Sequence, residues 1–375
     1  MGKERDSFFK LLPAHLTYEP VKSVTIGTRI VGEGNPAFII AEIGANHHGK
    51  LEDALVEIEA AAKAGANAVK FQHLTHDKIA ADTPVETAAG MTPLSTLYAS
   101  MDTPNDWTPA LIAKAKECGV LFFSTPFDVE AVDVLDSLGV AVFKIASCEL
   151  TDDLLVRHIA CKGKPIIVST GMAYLEEVAH AVRVMQEEGN TQIIILHCIA
   201  MYPPKSFEDL NLRAITTLQE AFKVPVGFSD HTAPGTVAAP LAAVTLGACV
   251  IEKHFTIDQK GGAPDDANSL NPEQFQTMVM EIRALEAAMK GSGIKQPVSR
   301  GEHAPGEDEI PDRWAHRSIY SARDIAAGET LTLEMIITLR PQGGIEPKDF
   351  HIVEGKKLTK FVAARQPLTF DLFFS

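Results

Sequence analysis

Between residues 38 and 256 the chain repeats one pattern eight times: a short apolar run, then a longer amphipathic stretch. The runs are FIIAEI (38–43), AVKFQ (68–72), LFFST (121–125), AVFKIAS (141–147), PIIVST (165–170), IIILHC (193–198), PVGFSD (225–230) and CVIEKHFT (249–256). Between them lie stretches such as LEDALVEIEAAAKAG, PALIAKAKECG, VEAVDVLDSLG and LEEVAHAVRVMQEEG. Each of these has helical spacing and ends on Gly, the residue preferred just past a helix C-terminus. Strands of almost continuous apolar character, each followed by a helix, call for a parallel sheet covered on both faces. Eight such units over about 250 residues match an α/β fold of the (β/α)8 TIM-barrel type. The competing open doubly wound sheet wants a G-x-G-x-x-G after its first strand and ligand groups at one switch point. Here that motif is missing, and polar residues end nearly every strand.

The pattern stops after PEQFQTMVMEIRALEAAMKG. Residues 1–36 read as an N-terminal extension whose SVTIGTRIVGEG forms a β-hairpin capping the N-terminal end of the barrel, and residues 37–290 as the barrel itself. Residues 291–312, rich in Gly, Pro and charge, read as a linker, and 313–375 as a small β-rich domain. A unit of about 60 residues is marginal alone, so it is expected to pack on something.

Charge narrows the partners. With 34 Lys and Arg against 49 Asp and Glu the net charge is −15, which argues against nucleic acid and anionic membranes. An anionic substrate therefore needs a local cluster of cations. Five scattered cysteines without a C-x-x-C pair suit a reducing compartment. No secretory signal is visible at the N-terminus, and the longest apolar run, near 237–251, contains Pro240 and is too short to span a bilayer. A cytoplasmic protein is expected.

In such a barrel, chemistry sits where the strands end. Those ends carry Glu42; Lys70 and Gln72; Ser124 and Thr125; Lys144, Ser147 and Glu149; Ser169 and Thr170; His197 and Cys198, with Tyr202 just beyond; Ser229, Asp230 and His231; and Glu252 and His254. Each has a bland reading: Thr170 as a helix N-cap, a lone Lys as solvated, Glu42 or Glu149 as a salt-bridge partner of a lysine. Convergence of so many on one cavity argues for function. Lys70 and Lys144, with the hydroxyls of Thr125, Ser147, Ser169 and Ser229, can cradle a phosphate, and STGMAYLEEV adds a helix N-terminus beside them. No P-loop is present, so a small phosphorylated acid fits better than a nucleoside triphosphate. Period-2 alternation puts Ser229 with His231, and Glu252 with His254, on one face of neighbouring strands. Two facing imidazoles with open positions suit a catalytic divalent metal, Mn, Mg or Zn, although two histidines make an incomplete ligand set. Glu42 and Glu149 are candidates for general acid–base work.

The ordered motifs AEIGANHHG, VKFQ, STPFD, FKIASCE, STGMA, LHC…YP, GFSDHT, IEKHFT and the Pro-Asp-x-x-x-Ser of APDDANSL resemble the sialic acid synthase family. The similarity is strongest to its spore coat polysaccharide synthase E type. RSIYSARDIAAGE and LRPQGGI resemble that family's C-terminal antifreeze-like (SAF) domain. The resemblance implies condensation of phosphoenolpyruvate with an N-acylmannosamine-type sugar to give a sialic-type acid and phosphate. It implies a divalent metal (Mn or Mg) on His231 and His254. Phosphoenolpyruvate would lie on Lys70, Thr125, Lys144, Ser147, Ser169 and Ser229, and the sugar against Glu42, Gln72, Tyr202 and Asp265. Glu149 would assist proton transfer. It further implies a domain-swapped homodimer in which Arg340 reaches the partner's sugar site. Ala200, Ala263, Asp266 and Gln342 depart from the family pattern and put the acceptor sugar, more than the reaction, in question. Two other readings compete: a different phosphoenolpyruvate-dependent aldol synthase or metal-dependent aldolase, and a non-enzymatic barrel scaffold with a carbohydrate- or ice-binding tail.

Overall fold

Every one of the eight apolar runs forms a strand, and together they close into a parallel barrel. The computed structural model describes residues 20–87, 90–289 and 316–374. A hairpin comes first, β1 (Ser23–Ile26) and β2 (Arg29–Gly32), paired antiparallel. The barrel strands are β3 (Phe38–Gly44), β4 (Ala68–His73), β7 (Leu121–Pro126), β8 (Phe143–Ile145), β9 (Ile166–Ser169), β10 (Ile193–Cys198), β11 (Val226–Asp230) and β12 (Val250–His254). They neighbour one another in chain order, and β12 closes on β3. Between β4 and β7 the chain inserts a small hairpin, β5 (Pro84–Thr87) and β6 (Gly90–Pro93), with short helices around it. The alternation pattern gives no sign of this excursion.

Period-2 geometry sorts the strand residues into two cores. One parity faces the helices: Ile39, Ala41, Ile43, Val69, Phe71, Phe228 and Ile251 pack with Ala54 and Ile58 of the helix Leu51–Lys63 and with the other helices. The other parity faces inward: Phe38, Ile40, Ala68, Phe123, Val142, Ile167, Ile194, Leu196 and Val250 meet Val24, Ile26 and Val31 of the hairpin. The β1–β2 hairpin thus seals the N-terminal end, as its sequence suggests. It belongs to the same compact unit as the barrel and is not a separate body. Gly227 is an inward position where a Cβ would lie 2.5 Å from the Val250 carbonyl oxygen, so only Gly lets β11 approach its neighbours there. The apolar floor leaves the C-terminal end of the same inward face for polar side chains.

The turns leaving the strands are fixed by capping. Asp128 accepts from Ala131 N at 2.9 Å to start the helix Val129–Ser137, and Asp152 accepts from Leu154 N and Leu155 N at 3.1 and 3.2 Å to start Asp153–Ala160. Strand β8 is shorter than its apolar run, so Ser147 and Glu149 leave the ladder on a turn.

The second unit carries β13 (Ser318–Ser321) and β14 (Ile336–Leu339) in an antiparallel pair. Its own core holds Ile319, Ile325, Leu331, Ile345, Val353, Leu358, Val362, Leu368 and Phe373. The expected β-rich tail is built from the β13–β14 pair and isolated bridges such as Ile325 with Val362, joined by irregular chain. The expected linker, 291–312, lies outside the described residues. Among the described residues no helix is long and apolar enough to cross a membrane.

Candidate active site

Above the apolar floor the inward face becomes a ring of ionisable and hydroxyl groups. Lys70 Nζ lies 2.7 Å from Glu42 Oε2 and 3.9 Å from Glu252 Oε1, and donates to Thr125 Oγ1 at 3.2 Å. Lys144 Nζ donates to Ser169 Oγ at 2.6 Å and to Ile145 O at 3.0 Å, and sits 4.0 Å from Glu252 Oε1. Ser229 Oγ donates to Glu252 Oε1 at 3.0 Å, and Gln72 Nε2 to Glu42 Oε1 at 2.7 Å. All of these except Gln72 are buried. Burial works against the charges of Lys70, Lys144 and Glu252. The carboxylates of Glu252 and Glu42 outweigh it for Lys70, whose pKa is raised, while for Lys144 burial wins and the pKa is lowered. For Glu252 burial is outweighed by Lys144 and Lys70, which hold its pKa below the usual carboxylate value. One Glu252 oxygen is buried without a hydrogen-bond partner.

Ser147 stands beside this ring. Its Oγ accepts from Gly171 N at 2.9 Å and donates toward Cys198 Sγ at 3.6 Å. The helix N-terminus expected beside Ser169 is not there: the helix begins only at Leu175, and Glu177 takes the Tyr174 N–H at 2.7 Å. Thr170 caps no helix, because its hydroxyl donates to the Leu196 carbonyl at 3.1 Å.

His231 and His254 meet with ring centroids 5.4 Å apart, and the Tyr202 ring stacks on His231 at 3.9 Å. His231 Nδ1 is 2.8 Å from the Ile199 carbonyl. A carbonyl only accepts, so Nδ1 carries the proton and Nε2 keeps its lone pair free. Burial, reinforced by His254, lowers the His231 pKa to about 3, so the ring is neutral. His254 Nδ1 is buried without a hydrogen-bond partner, its nearest carboxylate being Asp265 Oδ2 at 3.6 Å. A neutral imidazole with a fixed tautomer beside one with an orphaned nitrogen suits a divalent cation. Among the described residues no three His, Cys, Asp or Glu side chains form a complete metal-ligand cluster.

Gly44 (φ 55°) lies where Glu42, Gln72 and Asp265 converge: a Cβ there would be 3.1 Å from Gln72 Nε2, 3.2 Å from Glu42 Oε1 and 3.6 Å from Asp265 Oδ2. Glu149 has a buried oxygen without a hydrogen-bond partner, and desolvation raises its pKa to about 7. Of the bland alternatives, the salt bridge is realised for Glu42 with Lys70. Among the described residues no lysine pairs with Glu149.

Three strand-end residues turn away from the mouth, among them Asp230, whose carboxylate lies 3.0 Å from Lys253 Nζ on the outer face. His197 bonds the Leu210 carbonyl at 2.7 Å, and Ser124 bonds His73 at 2.6 Å. Two others matter more than the sequence suggested. Glu252, placed by alternation on the His254 face without a task, lies between both lysines, and Cys198 sits between Ser147 and His231 Nδ1, 3.8 Å from the latter. Asp266 is one of the positions that depart from the family pattern. It is buried, accepting from Thr256 Oγ1 and Ala263 N at 2.8 Å each and pairing with His48 Nε2 at 3.0 Å, so it builds the loop that carries Asp265. Arg340 belongs to the second unit, exposed just after β14. The turn beyond it is shaped by Tyr320 Oη donating to Pro341 O at 2.7 Å, and by Gly343 N and Gly344 N donating to Ser318 Oγ at 3.1 Å.

A sealed parallel barrel with paired lysines, hydroxyls, carboxylates and imidazoles at its C-terminal mouth is the layout of a barrel enzyme. The chain belongs to the NeuB family, whose model matches residues 57–295, and a SAF domain model matches 316–373. It is an enzyme of the sialic acid synthase type. It is 40% identical to the spore coat polysaccharide biosynthesis protein SpsE of Bacillus subtilis over 92% of this chain and 94% of that one. It is 39% identical to the pseudaminic acid synthase of Campylobacter jejuni over 86% and 92%. Its fold matches the N-acetylneuraminic acid synthetase of Leptospira borgpetersenii, crystallised with citrate, at TM-score 0.67 and 33% identity, covering 78% of this chain and 97% of that one.

Proposed function

We propose that the chain condenses phosphoenolpyruvate with an open-chain N-acylmannosamine-type sugar and water, giving a nonulosonic acid and inorganic phosphate. The observation that carries this reading is the buried ring where Lys70, Lys144 and Ser229 surround Glu252, with Thr125 on Lys70 and Ser169 on Lys144, close to a pair of imidazoles. Fixed ammonium and hydroxyl donors out of water suit a phosphate and a carboxylate on one small molecule. In the balanced reaction the enol carbon forms a bond to the sugar's aldehyde carbon, and the aldehyde oxygen gains a proton. Water adds to the phosphate-bearing carbon, and phosphate leaves.

In this reading Lys70, Lys144, Thr125, Ser147, Ser169 and Ser229 hold phosphoenolpyruvate. Glu42, Gln72, Tyr202 and Asp265 orient the sugar, and Glu149 supplies a proton. His231 and His254 would hold a Mn or Mg ion, which when bound polarises the aldehyde. Names of relatives that make pseudaminic and legionaminic acids support a nonulosonic acid product.

A panel of N-acylmannosamines and diacetamido sugars, scored by phosphate release from phosphoenolpyruvate, tests the proposal. Stoichiometric release with one of them, lost on chelation and regained with Mn or Mg, is the expected result. Phosphate release independent of any sugar, or turnover only with an unrelated aldehyde, defeats it.

A further inference from the structure

His254 ends β12 and His231 directly follows the last residue of its neighbour β11, so something must set their spacing. Resting on the reading of His231 and His254 as a metal pair, we infer that Lys253 and Asp230 are positioning residues, a buried charge clamp on the outer face of the barrel that fixes that spacing. Asp230 and Lys253 are register partners in the β11–β12 ladder. Each immediately precedes one of the histidines, and alternation turns it to the opposite face. Phe228 and Ile251, which share that outer parity, lie in the core between barrel and helices.

Lys253 Nζ lies 3.0 Å from Asp230 Oδ2 and donates to Thr232 O at 2.5 Å and Thr232 Oγ1 at 3.2 Å. Asp230 in turn accepts from Thr232 N at 2.9 Å and from Thr232 Oγ1 at 3.0 Å. An ammonium has three protons, and all three are used. One side chain therefore grips the residues on both sides of His231 while its own backbone leads straight into His254.

Stability alone does not account for this pair. Its side chains are 1% and 0% exposed, and a well-packed apolar pair is often at least as stable as a buried ion pair. What an apolar pair lacks is direction. His231 is already fixed in orientation by the Ile199 carbonyl and the Tyr202 ring. The clamp adds its position relative to His254, and metal sites tolerate misplacement of only about 0.2 Å in ligand distance.

The test is Mn(II) titration of the full-length chain by calorimetry. The charge-free double variant Asp230→Leu with Lys253→Met is expected to keep the wild-type circular dichroism spectrum while binding Mn(II) at least about tenfold more weakly. Its kcat should fall while KM for phosphoenolpyruvate stays within about twofold, because the anion floor lies on the other face. A folded double variant with wild-type Mn(II) affinity overturns the clamp. If that variant does not fold, Thr232→Val decides by the same titration: about threefold weaker binding supports the clamp, and unchanged binding overturns it. A wild-type chain that binds no Mn(II), or whose binding survives His254→Ala, overturns the metal reading itself.

Discussion

Glu149 keeps one carboxylate oxygen buried and unpartnered, and desolvation raises its pKa to about 7. Below that value it is a neutral acid with a proton to give; above it the proton is gone. If Glu149 protonates the aldehyde oxygen, kcat/KM falls as pH rises through about 7. Glu149→Gln should remove that limb of the profile and lower the rate about 100-fold or more. A variant that retains the wild-type alkaline limb rules Glu149 out as the donor. Most of the site was legible residue by residue, because alternation along one strand says which side chains share a face. What alternation omits is the partner across the strands. Glu252 reads as one more strand-end carboxylate, yet only the closure of β12 against β11 and β3 brings it within 4.0 Å of both lysines. Likewise Lys253, the odd cation of IEKHFT, finds its partner on a strand about twenty residues away.

At the scale of elements, the loop after β12 is tied to the barrel by the helix Leu51–Lys63. Glu57 Oε1 accepts from Ile257 N at 3.0 Å, and Asp266 holds the far side of the same loop to His48. Burial raises the Glu57 pKa to about 8 from an ordinary 4.5. For a raised carboxyl the sign follows directly: between those values the unfolded state has already lost its proton and the native state has kept it, so stability falls as pH rises. Glu57→Gln keeps an oxygen acceptor for Ile257 N but cannot ionise. Its stability relative to wild type should therefore grow between pH 5 and 8.5, by about 2–4 kcal/mol. Denaturant midpoints for both proteins at the two pH values check this, and parallel pH curves would show that Glu57 ionises normally. The eight strands and their helices were legible because their apolar periods are long and regular. The excursion between β4 and β7 was not, since β5, β6 and the short helices around them bury too few side chains to leave a period in the sequence.

At the scale of the whole molecule, the second unit has its own core. Its β-structure is the β13–β14 pair with the isolated bridges Tyr320–Pro367, Ile325–Val362 and Thr330–Lys357. We propose that in a homodimer this unit completes the sugar site of the partner subunit through Arg340, whose planar fork can fix acyl or hydroxyl oxygens in direction. An exposed arginine at a strand end with no task is the plain alternative, and surface charges often contribute little. Complementation separates the two. His254→Ala and Arg340→Ala subunits are each expected to be inactive, and are mixed under conditions where subunits exchange. If Arg340 acts in trans, each mixed dimer joins one barrel with His254 to an intact Arg340 from its neighbour. Random exchange then restores roughly a quarter of wild-type activity, since half the dimers are mixed and each has one working site of two. If each barrel uses its own second unit, a mixed dimer contains no intact site and the mixture stays silent. Silence after exchange has been verified by mass-labelled subunits would refute the trans arrangement, and so would a wild-type chain that is monomeric at its working concentration.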